Sequence, residues 1–256
     1  AEFVHKYFGF TNFYTSVSTA CSSGIKAFSI AKELLEKEIA QTVLVIGVDS
    51  IAKLPVYGFD SLEILSGEPA NPFSKNRCGI NIGEGAAAFI VSKEGEGIEI
   101  TRIGETTDYY HSTTPDPEGI EAEKAIRLAL GEMKPEDIDY INLHGTGTQA
   151  NDLMEARAVY NIFGAKVPAS STKPLTGHCL GAAASIETAL CCRLLEKGTD
   201  KVFPHIYDGE YDEKLPKILL ADKSTKSGEV KTCLSTSFGF GGTNCAIVLR
   251  RKICTT

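Results

Sequence analysis

The spacing of apolar positions changes several times along this chain, and each change predicts an element. Ile25, Phe28, Ala31, Leu34 and Leu35 recur at helical spacing, with Lys32, Glu33, Glu36 and Lys37 on the opposite face. That is the pattern of an amphipathic helix resting on a core. Residues 43–48, VLVIGV, form a continuous apolar run of strand length, as expected for a strand buried on both faces. Residues 83–91 and 97–103 read as further strands, 118–133 as a helix, 138–143 as a strand ending at His144, and 152–163 as another helix. Strands alternating with helices predict a layered α/β fold.

An internal echo runs through this pattern. Val17-Ser18-Thr19-Ala20-Cys21 leads through a helix to Leu34-Leu35-Glu36-Lys37. Ser170-Ser171-Thr172-Lys173 leads past His178, through a second helix, to Leu194-Leu195-Glu196-Lys197. Each copy runs from a small polar turn to a reactive side chain, then an apolar helix and the same tetrapeptide, as a pseudo-duplicated fold would.

Composition narrows the functional classes. A chain of 256 residues, 43% hydrophobic and 23% charged, is long enough to bury a sizeable core. The formal charge of -7 leaves no basic footprint for nucleic acid, so docking an acidic partner calls for a local basic patch. No apolar run reaches membrane-span length, and the first residues, AEFVHK, lack a signal-peptide pattern. None of the eight cysteines forms a C-x-x-C pair. They read as free thiols of a reducing, cytoplasmic compartment, not as a disulfide framework or a zinc site.

Three of the small-residue turns carry chemistry. Cys21 stands where Ser22-Ser23-Gly24 opens a helix, a place where the helix dipole and free N–H groups favour a thiolate. His144 ends a strand before Gly145-Thr146-Gly147-Thr148, and His178 lies between Gly177 and Gly181-Ala182-Ala183-Ala184. Small flanks suit a wall that a substrate must approach closely. The other seven cysteines read as small hydrophobes, and His5, His111 and His205 as surface or structural groups. No His pair at i,i+4 and no Cys/His cluster is visible, so no metal site is expected.

Together these segments resemble the β-ketoacyl-acyl-carrier-protein synthases, the condensing enzymes of fatty-acid and polyketide synthesis. Thr19 to Gly24 is similar to the family's nucleophile motif. His144 to Thr148, with Asn151, Asp152 and Glu155 beyond, is similar to its first histidine motif. Lys173 through His178 to Ala183, with Glu187, is similar to its second, and Ser237 to Asn244 to its C-terminal gate loop. The resemblance implies a thiolase-like layered α-β-α-β-α fold with a truncated N-terminal half, since only 20 residues precede Cys21. It places the remaining N-terminal half in residues 1–105 and the C-terminal half in 106–256.

It also implies a mechanism. Cys21 takes an acyl group as a thioester, and decarboxylation of a malonyl-carrier thioester supplies a carbanion. His144 and His178 stabilise the enolate, with Lys173 and Glu187 supporting them. The backbone N–H groups of Cys21 and Phe238 form an oxyanion hole, and Phe238, Gly239 and Phe240 belong to the gate. Acyl carrier protein is the expected partner, in a homodimer or a heterodimer with a related chain, and no cofactor is expected. The alternatives are a non-catalytic or incomplete module that needs a partner chain, and a thiolase-like acyltransferase. Aspartates are common in the family where this chain has Ser74 and Cys78, which bears on the packing of that loop.

Overall fold

A computed structural model describes residues 1–252; Cys254, read above as a small hydrophobe, lies outside them. Two sheets organise the chain. β1 (Thr42–Asp49) and β2 (Gly85–Ser92) form an antiparallel pair. The second sheet has the order β3-β7-β6-β4-β5, built from β3 (Ile98–Thr107), β4 (Tyr140–Asn142), β5 (Ala169–Ser170), β6 (Thr232–Gly239) and β7 (Thr243–Arg251). β3, β7 and β6 pair antiparallel, whereas β6, β4 and β5 pair in parallel.

Two helices, α2 (Ser23–Glu36) and α7 (Leu180–Lys197), lie side by side between the sheets. α4 (Ile120–Leu130) and α5 (Gln149–Phe163) cover the far side of the five-stranded sheet. The short α1 (Glu2–Tyr7), α3 (Lys53–Ser61) and α6 (Lys173–Thr176) complete the helices. This is the expected thiolase-like layering without a helical layer beyond β1 and β2 among the described residues. None of these helices is long and apolar enough to cross a membrane.

The five-stranded sheet buries both faces, as its apolar strands require. Leu234, Ala246 and Val248 pack towards α4 and α5, while Cys233, Cys245, Ile247 and Leu249 pack towards α2 and α7. β1 behaves otherwise, and this corrects the expectation of a strand buried on both sides. Val45 enters the core beside Phe28 and Ala184, but the cross-strand pairs Leu44–Ile90, Ile46–Ala88 and Val48–Ala86 form the opposite face. Val48 is 68% and Ile90 79% exposed there.

Element bounds shift slightly from expectation. The helix expected over 118–133 is confined to α4, because Gly119 stands in the left-handed region before it and Gly131 ends it. The helix expected from 152 starts at Gln149, where the Thr148 hydroxyl accepts from the Asn151 N–H. The expected boundary at 105/106 falls inside β3, which pairs along its length with β7. The sheets therefore divide between β2 and β3.

Candidate active site

The internal echo has a structural counterpart. Cys21 lies two residues before α2, and His178 two residues before α7. Because those helices pack together, their N-terminal ends bring the two side chains into contact. Cys21 Sγ lies 3.0 Å from His178 Nε2. The Cys21 turn is held by Ser22 Oγ donating to the Thr19 carbonyl (2.7 Å) and Ser237 Oγ donating to the Cys21 carbonyl (2.8 Å). The His178 N–H donates to the Asn81 carbonyl at 2.7 Å, which fixes the start of α7 against the strand-like run before β2.

His144 arrives from the other half. It leaves the C-terminal end of β4 one residue after Leu143 and stands with its ring edge-on to His178, centroids 5.3 Å apart. Glu155 of α5 holds this turn. Its carboxylate accepts from the N–H groups of His144 and Gly145 and from the Thr236 hydroxyl, each at 2.7 Å. Burial pushes the Glu155 carboxyl up to about 7 against the pull of those donors. Glu155 stands in the quoted motif but outside the expected catalytic and supporting set. Its signal was the i,i+11 placement after His144, one helix away.

Lys173 and Glu187 form an ion pair at 2.5 Å, both almost fully buried. The Lys173 ammonium also donates to the His144 carbonyl (2.5 Å) and lies 3.3 Å from His144 Nδ1. An ammonium can only donate, so Nδ1 accepts and the neutral ring carries its proton on Nε2. Burial and then the nearby Lys173 charge keep both histidines well below their ordinary range, so each imidazole is neutral. Burial pushes the Glu187 carboxyl up, and Lys173 pulls it back.

The thiol departs from the expectation drawn from its position at a helix start. Burial pushes Cys21 up to about 11, outweighing Lys173 and the N–H groups that face the sulfur. Those N–H groups belong to Cys21 and Phe240. Phe238 was expected in that place. Instead it lies within β6, buried, with its ring edge-on to His144 at 5.8 Å. Phe240 stands just past the strand and packs on Phe59 of α3 at 5.5 Å. Gly239 must approach the Cys21 turn closely, since a Cβ there would come within 2.8 Å of the Thr19 carbonyl oxygen. Gly242 turns the loop between β6 and β7 at φ +79°, where a Cβ would meet the Asp108 carbonyl oxygen at 2.3 Å.

A cavity of about 330 Å³ opens onto Cys21, His144 and His178. Phe59, Leu62, Ile64 and Ile80 give it apolar walls, and Thr146, Thr148 and Asn151 line its polar side. Cys78 reaches this cavity as an exposed thiol. His111 also lines it, whereas His205 is buried, accepting from the Ser171 N–H and contacting the Pro72 carbonyl. Ser74 is fully buried and donates to Asp208, so its loop is closed without an aspartate there.

Cys21, His144 and His178 offer donor atoms that all lie within 4.8 Å of one another. The sequence shows no Cys/His cluster because the three lie far apart along the chain; the fold makes one.

The family profile described as "Beta-ketoacyl synthase, N-terminal domain" matches residues 1–96, and "Beta-ketoacyl synthase, C-terminal domain" matches residues 98–206. The chain belongs to the β-ketoacyl synthase family. The "3-oxoacyl-[acyl-carrier-protein] synthase 2" of Coxiella burnetii is 34% identical over 92% of this chain and 61% of its own length. The ketosynthase ApeO in complex with its chain length factor ApeC, from Xenorhabdus doucetiae, superposes with a TM-score of 0.92 at 37% identity, covering 98% of this chain and 63% of that one. A type II polyketide-synthase complex of an acyl-carrier protein with its ketosynthase, bound to the hexaketide, gives 0.90 at 28% identity, covering 99% and 66%. The chain thus spans about 60% of the length of these relatives.

Proposed function

We propose that this chain carries the reaction centre of an elongating β-ketoacyl synthase. In the first step the Cys21 thiol attacks an acyl-carrier thioester. Its S–H proton passes to His178 Nε2, 3.0 Å away, and then to the departing carrier thiolate, leaving acyl-Cys21 and a free carrier thiol. In the second step a malonyl-carrier thioester loses carbon dioxide, and the C–C bonding pair becomes an enolate. His144 donates from Nε2 to the enolate oxygen beside His178. The enolate carbon attacks the acyl carbonyl, the carbonyl oxygen takes the negative charge at the Cys21 and Phe240 N–H groups, and collapse expels Cys21 as a thiolate that takes a proton from solvent. Decarboxylation supplies the carbanion, so no strong base is needed.

The observation that carries this reading is the contact of Cys21 with His178 beside a neutral His144 whose Nδ1 faces Lys173. Two neutral imidazoles suit hydrogen bonding to a developing oxyanion better than deprotonating a substrate carbon. A thiolase-like exchange is less favoured, because the gate loop presents Phe238 and Phe240 where a second cysteine would be needed, and Cys245 is buried within β7.

The partners supported by this reading are acyl and malonyl forms of acyl carrier protein and a second synthase-like chain; similar ketosynthases form complexes with an acyl-carrier protein and with a chain length factor. A second reading, a module that turns over only when completed by another chain, draws on the bare apolar face of β1 and β2. Intact-mass spectrometry after incubation with acyl-carrier or acyl-N-acetylcysteamine thioesters tests the first step. A single adduct that disappears in Cys21→Ala supports it. No adduct from folded chain alone, but one after a related chain is added, selects the second reading; adducts that persist in Cys21→Ala sink both.

A further inference from the structure

The three reactive side chains also make a metal-binding donor set. A thiolate with two imidazoles is the kind of donor set that binds zinc-class ions, at about 2.3 Å for sulfur and about 2.0–2.1 Å for nitrogen. Tetrahedral geometry then places the donors roughly 3.3–3.6 Å apart. Here all three lie within 4.8 Å of one another, and Cys21 Sγ and His178 Nε2 are already at 3.0 Å. A bound ion would widen the Cys21–His178 separation by about half an ångström and draw the third donor in by rotation about side-chain torsions. The side chains are nearly fully buried, yet the adjoining cavity leaves a fourth position open to water or a thiol.

Lys173 works against that ion in two ways. Its positive charge lies 3.3 Å from His144 Nδ1. By donating there it also holds the ring proton on Nε2, the nitrogen left to face the cavity, where a metal needs a lone pair. A metal-binding histidine ordinarily has its other nitrogen donating to an acceptor; here that nitrogen accepts from a cation.

We propose that Cys21, His144 and His178 form an inhibitory site for a zinc-class divalent cation, and that the Lys173 ammonium keeps its affinity low. Binding replaces the Cys21 S–H bond with a metal–sulfur bond and releases that proton to solvent. On His144 the metal takes the Nε2 lone pair, the ring proton moves to Nδ1, and Lys173 keeps its bonds to the His144 carbonyl and Glu187. The ion and an acyl group cannot occupy the sulfur together, so metal and acylation compete.

The test uses the whole chain and Co²⁺ as a spectroscopic probe, with Zn²⁺ as competitor. One Co²⁺ per chain with a thiolate-to-cobalt charge-transfer band is expected. Zn²⁺ should bleach the band and shield Cys21 from iodoacetamide, read by peptide mass. Both effects should vanish in Cys21→Ser and His178→Ala. In the double variant Lys173→Met/Glu187→Gln, which removes both buried charges together, Co²⁺ affinity should rise about tenfold, through loss of the positive charge that lies 3.3 Å from His144 Nδ1. Circular dichroism checks that each variant folds, and His178→Ala alone suffices for the site should the double variant fail. No thiolate band, or a band that survives in Cys21→Ser, overturns the site; unchanged affinity in a folded double variant overturns the role of Lys173. Because the readout is metal binding, a chain that takes up cobalt but never acylates refutes the condensation reading and leaves this one standing.

Discussion

The two halves carry the same local unit in unequal surroundings. α2-β1-β2 and α7-β6-β7 each run from a reactive side chain into a helix and then an antiparallel pair. In the C-terminal copy β6 and β7 have further strands on both outer edges, and the sheet is covered on both faces. Among the described residues β1 and β2 of the N-terminal copy have only each other, and one face is bare. The site nevertheless assembles at the α2–α7 contact. The geometry of the reactive ends depends on how the helices meet, whereas resistance to opening depends on what surrounds the strands.

Amide hydrogen exchange gives the largest expected contrast. Amides of β6 and β7 should exchange at least about a hundredfold more slowly than those paired between β1 and β2, because an edge pair opens without global unfolding. Equal protection would mean that β1 and β2 share one cooperative unit with the larger sheet, and the comparison would fail. Next comes the ion pair that joins the His144 turn to α7. Lys173→Ala leaves the Glu187 carboxylate buried and alone, and should cost about 3–5 kcal/mol in denaturant melts. The double replacement of both charges should cost far less.

The thiol sets the helix start against burial. With Cys21 raised to about 11, its alkylation should climb about tenfold per pH unit from 7 to 10 without levelling at 9. A plateau near 7 in peptide-resolved labelling would show that the helix start outweighs burial. A smaller effect is expected at the helix seam. In Gly24→Ala the new Cβ would sit 2.5 Å from the Ser185 backbone nitrogen, so a loss of about 1–3 kcal/mol is expected, and trimming Ser185 should not rescue it. At Gly47 the obstruction is the Ser185 side chain itself, so Ser185→Gly should rescue Gly47→Ala. The smallest change is Ser185→Ala. That buried hydroxyl has no partner among the described residues, so its removal should shift stability by less than about 1 kcal/mol in either direction.

Much of the site was legible because its residues announce themselves locally. Cys21, His144 and His178 each sit among small residues, and Lys173 and Glu187 follow from the motif around His178. Phe240 was harder to place. Phe238 and Phe240 are alike in sequence, and only the end of β6 at Gly239 decides which N–H turns towards the sulfur. β1 misled for a related reason: an apolar run shows that a strand can be covered on both faces, not that it is.

The sequence by itself determined the layered α/β class and its internal echo, which rest on local spacing, and it singled out Cys21, His144 and His178 through small-residue turns that resemble the family's motifs. Only the tertiary structure decided the protonation of the thiol, the Nε2–H form of His144, the N–H that faces Cys21 and the closeness of three metal-capable donors. Those properties depend on burial and on distances between segments that lie apart along the chain, from 29 residues for Lys173 and His144 to 157 for Cys21 and His178, and desolvation and Coulomb interactions act through space, where sequence separation carries no weight.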